Sequence, residues 1–191
     1  MLEVYGETIA VTMADERRRN AFSRSSMSTA SSVKTTVAAL PDATVTTRII
    51  EEGYGPGAWH GADMRASIAD VTSKTAFSRP GPGRHNIAEI ALHHAWCVRS
   101  VANQLSGDEG APFVLEGADW FDLSDAKTLA WAKVTATLEA EQDRLATIVA
   151  DIGAGRAQSA LPESEQFDLI LGVTCHAVYH AGQIQLIKVL L

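Results

Sequence analysis

The sequence predicts an all-α fold, an antiparallel four-helix bundle with a disordered N-terminal extension. Three observations predict it. Apolar residues recur at spacings of three and four along several long stretches. Segments rich in glycine and proline separate those stretches. No run of alternating apolar and polar residues reads as a strand.

Residues 1–26 carry acidic, basic and serine residues without an apolar period, so they are expected to lie outside the fold. They are a disordered tail, or else Met27 is the natural start. The tail is expected over 1–43 and the bundle over 44–191. The first helical signal runs from Thr46 to Gly53 and resumes from Pro56 to Val71. GYGPG (53–57) interrupts it, because glycine is flexible and proline lacks an N–H. SRPGPGRH (78–85) reads as a loop. The second helix is expected from Asn86 to Leu105, with Ile87, Ile90, Ala91, Val98, Val101 and Leu105 on one face. A loop holding Pro112 and Gly117 leads to Ser124, a good N-cap. The third helix is expected from Asp125 to Ile152, on the stripe Trp131, Val134, Leu138, Leu145, Ile148 and Ile152. Gly153 and Gly155 stop it. The fourth is expected from Glu163 to Leu190. Its stripe is Leu169, Val173, His176, His180, Gln183, Ile187 and Leu190.

A chain of 191 residues suits one domain, and 46% apolar with 20% charged residues is ordinary globular composition. The net charge of −7 disfavours nucleic acid as a partner. The dense basic run Arg17-Arg18-Arg19 falls outside the expected domain. Cys97 and Cys175 are read as free thiols, which suit a reducing compartment. No apolar run reaches the length of a membrane span, and the first residues lack the pattern of a signal peptide. The expectation is a cytoplasmic protein that neither crosses nor binds a membrane.

The fourth stripe carries the chemistry. His176 and His180 stand four apart and share the face that the leucines and valines turn to the core. Buried imidazoles need partners, since an unpaired buried polar group costs roughly 1–3 kcal/mol. They are either metal ligands or hydrogen-bonded core histidines. The second helix adds His93-His94 in the middle of its own apolar face. His93 continues the series Ile90 and Cys97, and His94 the series Ala91, Val98 and Val101. Periodicity therefore leaves open which of the two meets the fourth-helix pair. Three imidazoles on one ion would leave a position for water, the open arrangement of a catalytic metal.

HNIAEIALHHAW (85–96), followed by CHAVYHAGQIQLIKVL (175–190), resembles the DinB superfamily, and GYGPGAWHG (53–61) resembles one branch of it. The resemblance spans about residues 44–190. It implies a four-helix bundle with one divalent metal on three histidines, and its match to the second helix selects His93 beside His176 and His180. His94 stands where an apolar residue is common. The metal implied is zinc, nickel or iron. Characterised relatives include transferases and isomerases that use a low-molecular-weight thiol, and others are described as metal-dependent hydrolases. The resemblance thus implies a metal-dependent enzyme acting on a small-molecule substrate, and a homodimer. The alternative is a non-catalytic metal-binding bundle with a structural, sensory or ligand-binding role.

Three further residues are candidates for catalysis. His60 either points into the metal pocket as a proton donor or acceptor, or sits partly exposed at a helix end. Gln183, one turn beyond His180, either holds a ligand or metal-bound water in place or pairs with backbone. Glu141, on the third stripe, is a base, a partner behind a ligand, or a carboxylate snorkelling at the rim. Glu89, four before His93, orients it or lies on a solvated face. His85 is read as a surface or capping residue, and Cys97 as a small buried thiol. Cys175 should point about 100° away from the metal.

Overall fold

The computed structural model describes residues 43–191 of the chain. The extension expected over residues 1–43 lies outside the described residues except for Ala43, which opens the first helix. Among the described residues all regular structure is helical. Four long helices form the bundle: α1 (Ala43–Tyr54), α4 (Ile87–Ser106), α5 (Trp131–Gly153) and α6 (Glu163–Leu190). Two helices of five residues each, α2 (Met64–Ile68) and α3 (Ser73–Phe77), lie between α1 and α4.

Around the bundle α4 packs on α5 and α6, and α1 packs on the same two. Side-chain contacts give the directions. Arg99 meets Glu141 and Asn103 meets Arg144, so α4 and α5 run the same way. His93 and His94 both meet His176, with Ile184 and Ile187 in the core layer of Ile87 and Ala91, so α4 and α6 run oppositely. The four-helix bundle is as expected, but its α4–α5 pair is parallel rather than antiparallel, which needs the long irregular crossover of residues 107–130.

Two apolar clusters fill the interior. One gathers Ile87 to Ala95 with Val134, Leu138, Ala177, Ile184 and Ile187. The other gathers Val98 to Leu105 with Ile50, Leu145, Val149, Ile170 and Val173. Each forms because every bundle helix turns an apolar stripe inward. On α6 the buried stripe runs through Ile170, Val173, Ala177, Ala181 and Ile184 rather than through Leu169 and Leu190, and Leu190 is exposed.

Helix ends follow local chemistry. Asn86 caps α4, accepting from the Glu89 N–H, while Glu89 accepts from the Asn86 N–H. Gly107, left-handed at φ 72°, closes the same helix. α6 has the expected bounds, and α1 is slightly longer than expected. Two expectations need correction. Residues 56–71 do not form one helix: Gly57 and Gly61 take positive φ, and Asp63 and Thr72 cap two separate short helices. The helix expected from Asp125 begins instead at Trp131. Asp125 uses its carboxylate on the Lys127 N–H, a local turn that competes with helix, and the Trp131 indole N–H is held by the Val71 carbonyl.

Gly53 and Gly55 each answer a spatial need. A Cβ on Gly53 would stand 3.0 Å from the Ala177 Cβ and 3.1 Å from the Thr174 carbonyl, where α1 presses on α6. Gly55 has φ +97°, and a Cβ there would run into the Asp63 carboxylate. No described helix is long and apolar enough to cross a membrane.

Candidate metal centre

His93 and His94 lie on α4 between Leu92 and Ala95 of the first apolar cluster, and His176 and His180 lie on the facing stretch of α6. The His176 Nε2 stands 3.1 Å from the His93 Nε2 and 3.0 Å from the His180 Nε2. One nitrogen from each of the three rings falls within 4.8 Å of the others. Ligand nitrogens held about 2.0–2.1 Å from one ion stand about 2.8–3.4 Å apart, from right-angled to tetrahedral arrangements. The two separations from His176 match.

The protons give a second test of fit. The His93 Nδ1 lies 3.0 Å from the Asp119 carbonyl oxygen and 3.0 Å from its carboxylate Oδ1. The His180 Nδ1 lies 2.6 Å from the Gln183 Oε1. Those oxygens only accept, which assigns the proton of each neutral ring to Nδ1. Both Nε2 atoms therefore present bare lone pairs to the same point as the His176 Nε2. One N–H on His176 can serve one of them and not both. A cation that accepts all three lone pairs resolves the conflict, so these residues fit a divalent metal.

Burial favours the neutral rings. His93 and His180 are buried and His176 is half-buried. Burial, helped by the neighbouring imidazoles His180 and His93, pushes His176 down to about 3. Burial pushes His180 down to about 4, against the hydrogen bond to Gln183. Burial also lowers His93, against its contacts with Asp119. Neutral imidazole is the form that ligates.

Two residues of the crossover complete the site, and periodicity gave no sign of either. Asp119 sits in the left-handed region at φ 67°, which brings both its carbonyl and its carboxylate to His93. Trp120 lies flat on His93, with centroids 3.9 Å apart and planes 3° apart, and His85 stacks on Trp120 at 3.8 Å. An Asp-Trp pair in a long glycine-bearing loop was the available cue.

The candidate catalytic residues separate. Gln183 is at the cluster: it accepts from His180 and donates to the Tyr179 hydroxyl at 2.9 Å. His60 is an exposed residue whose Nε2–H donates to the Glu52 carbonyl at 2.7 Å, so it is engaged with the end of α1 rather than with the triad. Glu141 is neither at the triad nor a solvated rim carboxylate. It is half-buried and accepts from Arg99 at 3.0 Å, and Arg99 also donates to the carbonyls of Glu109 and Ala111. Glu89 is not on a solvated face. It is buried and binds Arg79, His85 and the N–H groups of Asn86 and Leu123. Cys97 Sγ comes within 3.8 Å of the His93 Nε2 and clusters with His93 and Asp119, outside the three-imidazole group. Burial, then the Asp119 charge, pushes its thiol up to about 12. Cys175 is exposed.

The family model of the DinB superfamily matches residues 58–184, a span that contains all three converging histidines. No curated protein and no solved structure matches the chain. With a match over well more than half its length, the chain belongs to the DinB superfamily.

Proposed function

We propose that the protein is a metal-dependent enzyme acting on a small molecule, with one divalent metal held by the Nε2 atoms of His93, His176 and His180. The observation that carries this reading is the convergence of three imidazoles: the His176 Nε2 lies 3.1 Å from the His93 Nε2 and 3.0 Å from the His180 Nε2, and one nitrogen of each ring falls within 4.8 Å of the others. Three neutral donors leave the ion's coordination incomplete, the arrangement of catalytic rather than closed structural sites. When bound, the metal would supply Lewis acidity, making a water or thiol more acidic and polarising an electrophile. The chain's residues do the positioning. Asp119 holds His93, Gln183 holds His180, and Trp120 shields the outer face of His93 from water. Family relatives that use a low-molecular-weight thiol support thiol transfer as the reaction class, with metal-assisted hydrolysis as the other.

The burial of His93 and His180 favours a second reading, a structural or sensory metal. One experiment separates the two. Untagged full-length protein should carry about one divalent metal per chain by elemental analysis, and alanine at His93, His176 or His180 should remove it. The loaded protein is then given a small thiol with a panel of electrophiles, and separately a panel of hydrolysable esters and amides. Turnover that stops with chelator supports the enzyme. A full complement of metal without turnover, and a melting point that falls on chelation, support the structural role.

A further inference from the structure

The fourth histidine of the cluster is not idle. His94 is fully buried, and its Nδ1 lies 2.9 Å from the Nδ1 of His176, on the edge of that ring away from the metal side. Its Nε2 has no hydrogen-bond partner. Between two Nδ1 atoms 2.9 Å apart there is room for one proton. If the His176 Nε2 gives its lone pair to a metal, the neutral ring carries its proton on Nδ1 and must donate it. The available acceptor is the His94 Nδ1. His94 is then the tautomer protonated on Nε2, and that N–H is the atom left buried without a partner.

We infer that His94 is a positioning residue for the metal centre: it accepts the Nδ1 proton of His176, fixing that ring's tautomer and plane. It does for His176 what the Asp119 carbonyl does for His93 and Gln183 does for His180. Each ligand imidazole thus has its own acceptor, and here the acceptor is a second imidazole. An orphaned buried N–H costs stability, which a purely apolar side chain at position 94 would avoid. The cost is understandable if the other nitrogen has work to do. The inference rests on the three-histidine site proposed above.

Its test uses Co2+ alone, titrated into untagged full-length protein and followed by the visible absorption of the bound ion. His94→Leu removes the acceptor at similar volume. His94→Asn keeps an acceptor oxygen near the position of Nδ1. Loss of an outer partner of this kind weakens metal binding by roughly 10–100-fold. The expected result is that loss for His94→Leu, with one ion still bound at saturation, and an affinity within a few-fold of wild type for His94→Asn. In the zinc form, nitrogen-correlated NMR should show a slowly exchanging Nδ1 proton on His176 that disappears in His94→Leu. Equal affinities for wild type and His94→Leu overturn the inference, as does His94→Asn failing as badly as His94→Leu while both stay helical by circular dichroism. His176→Ala keeps the two ideas apart. If it binds Co2+ like wild type, the three-histidine site itself fails. If it does not bind, the His94 comparison stands on its own.

Discussion

The most loaded single residue outside the histidines is Glu89. Its carboxylate is 2% exposed and serves Arg79, His85 and two backbone N–H groups, one of them at Leu123 in the crossover. Burial alone would raise its pKa, but the hydrogen bonds from Arg79, His85 and the backbone outweigh it, and the group sits below its ordinary 4.5. A depressed carboxylate contributes stability that is fully present above the ordinary value and is lost as pH falls through the folded one. Glu89→Gln should therefore destabilise the protein at pH 7 and differ less from wild type as pH drops below about 4.5. Breaking a wholly buried ion pair costs roughly 3–5 kcal/mol, but Arg79 is 36% exposed and can rehydrate, so roughly 1–3 kcal/mol is expected. Urea denaturation of both proteins at pH 7 and pH 4 measures it. An equal gap at the two pH values would contradict the assignment. The sequence alone offered Glu89 as an orienter of His93 or a surface residue. It is neither, because its partners come from loops that periodicity does not read.

At the scale of elements, the glycines of α1 and α6 make a matched pair of tests. Gly53 is buried at the α1–α6 contact, where a Cβ meets Ala177 and the Thr174 backbone at 3.0–3.2 Å. Gly172 on α6 has open space around it. Alanine gains up to about 1 kcal/mol over glycine inside a helix when nothing opposes it. Gly172→Ala should thus raise the melting temperature by a few degrees. Gly53→Ala should lower it, by roughly 1–3 kcal/mol in stability, because the crowded atoms include backbone that cannot swing away. Thermal melts by circular dichroism decide, and two changes of the same sign would refute the packing argument. Elements with long periodic stripes were legible: α6 has its predicted bounds and α4 differs by one residue at each end. Where polar side chains compete for backbone, as at Asp63, Thr72 and Asp125, the stripe misled, since it carries no information about caps and turns.

At the scale of the molecule, the histidines bridge two apolar clusters that stand without them. Removing metal should leave a folded bundle of lower stability rather than an unfolded chain. Zinc at about 100 times its dissociation constant adds about 2.7 kcal/mol. For a domain of this size that is a rise of roughly 5–10 °C in melting temperature, reversed by chelator. Scanning calorimetry with and without zinc checks it, and an unchanged midpoint would count against the site. The pair His176 and His180 was legible from its spacing on a core stripe. The choice of His93 over His94 was not legible from periodicity, because adjacent residues of one helix both reached the buried side; the resemblance to the DinB superfamily supplied it. Asp119 and Trp120 were hidden because a crossover places its residues through the topology of the whole bundle.

That crossover also bears on time. His93 and His176 are 83 residues apart in the chain, and α5 with its long lead-in lies between them. The complete ligand set exists only once α4 and α6 have docked, a non-local contact. Contacts absent from the transition state slow unfolding and leave the folding rate alone. Metal should therefore act as a latch on a closed door: in stopped-flow denaturant jumps, zinc lengthens the unfolding arm and barely moves the refolding one.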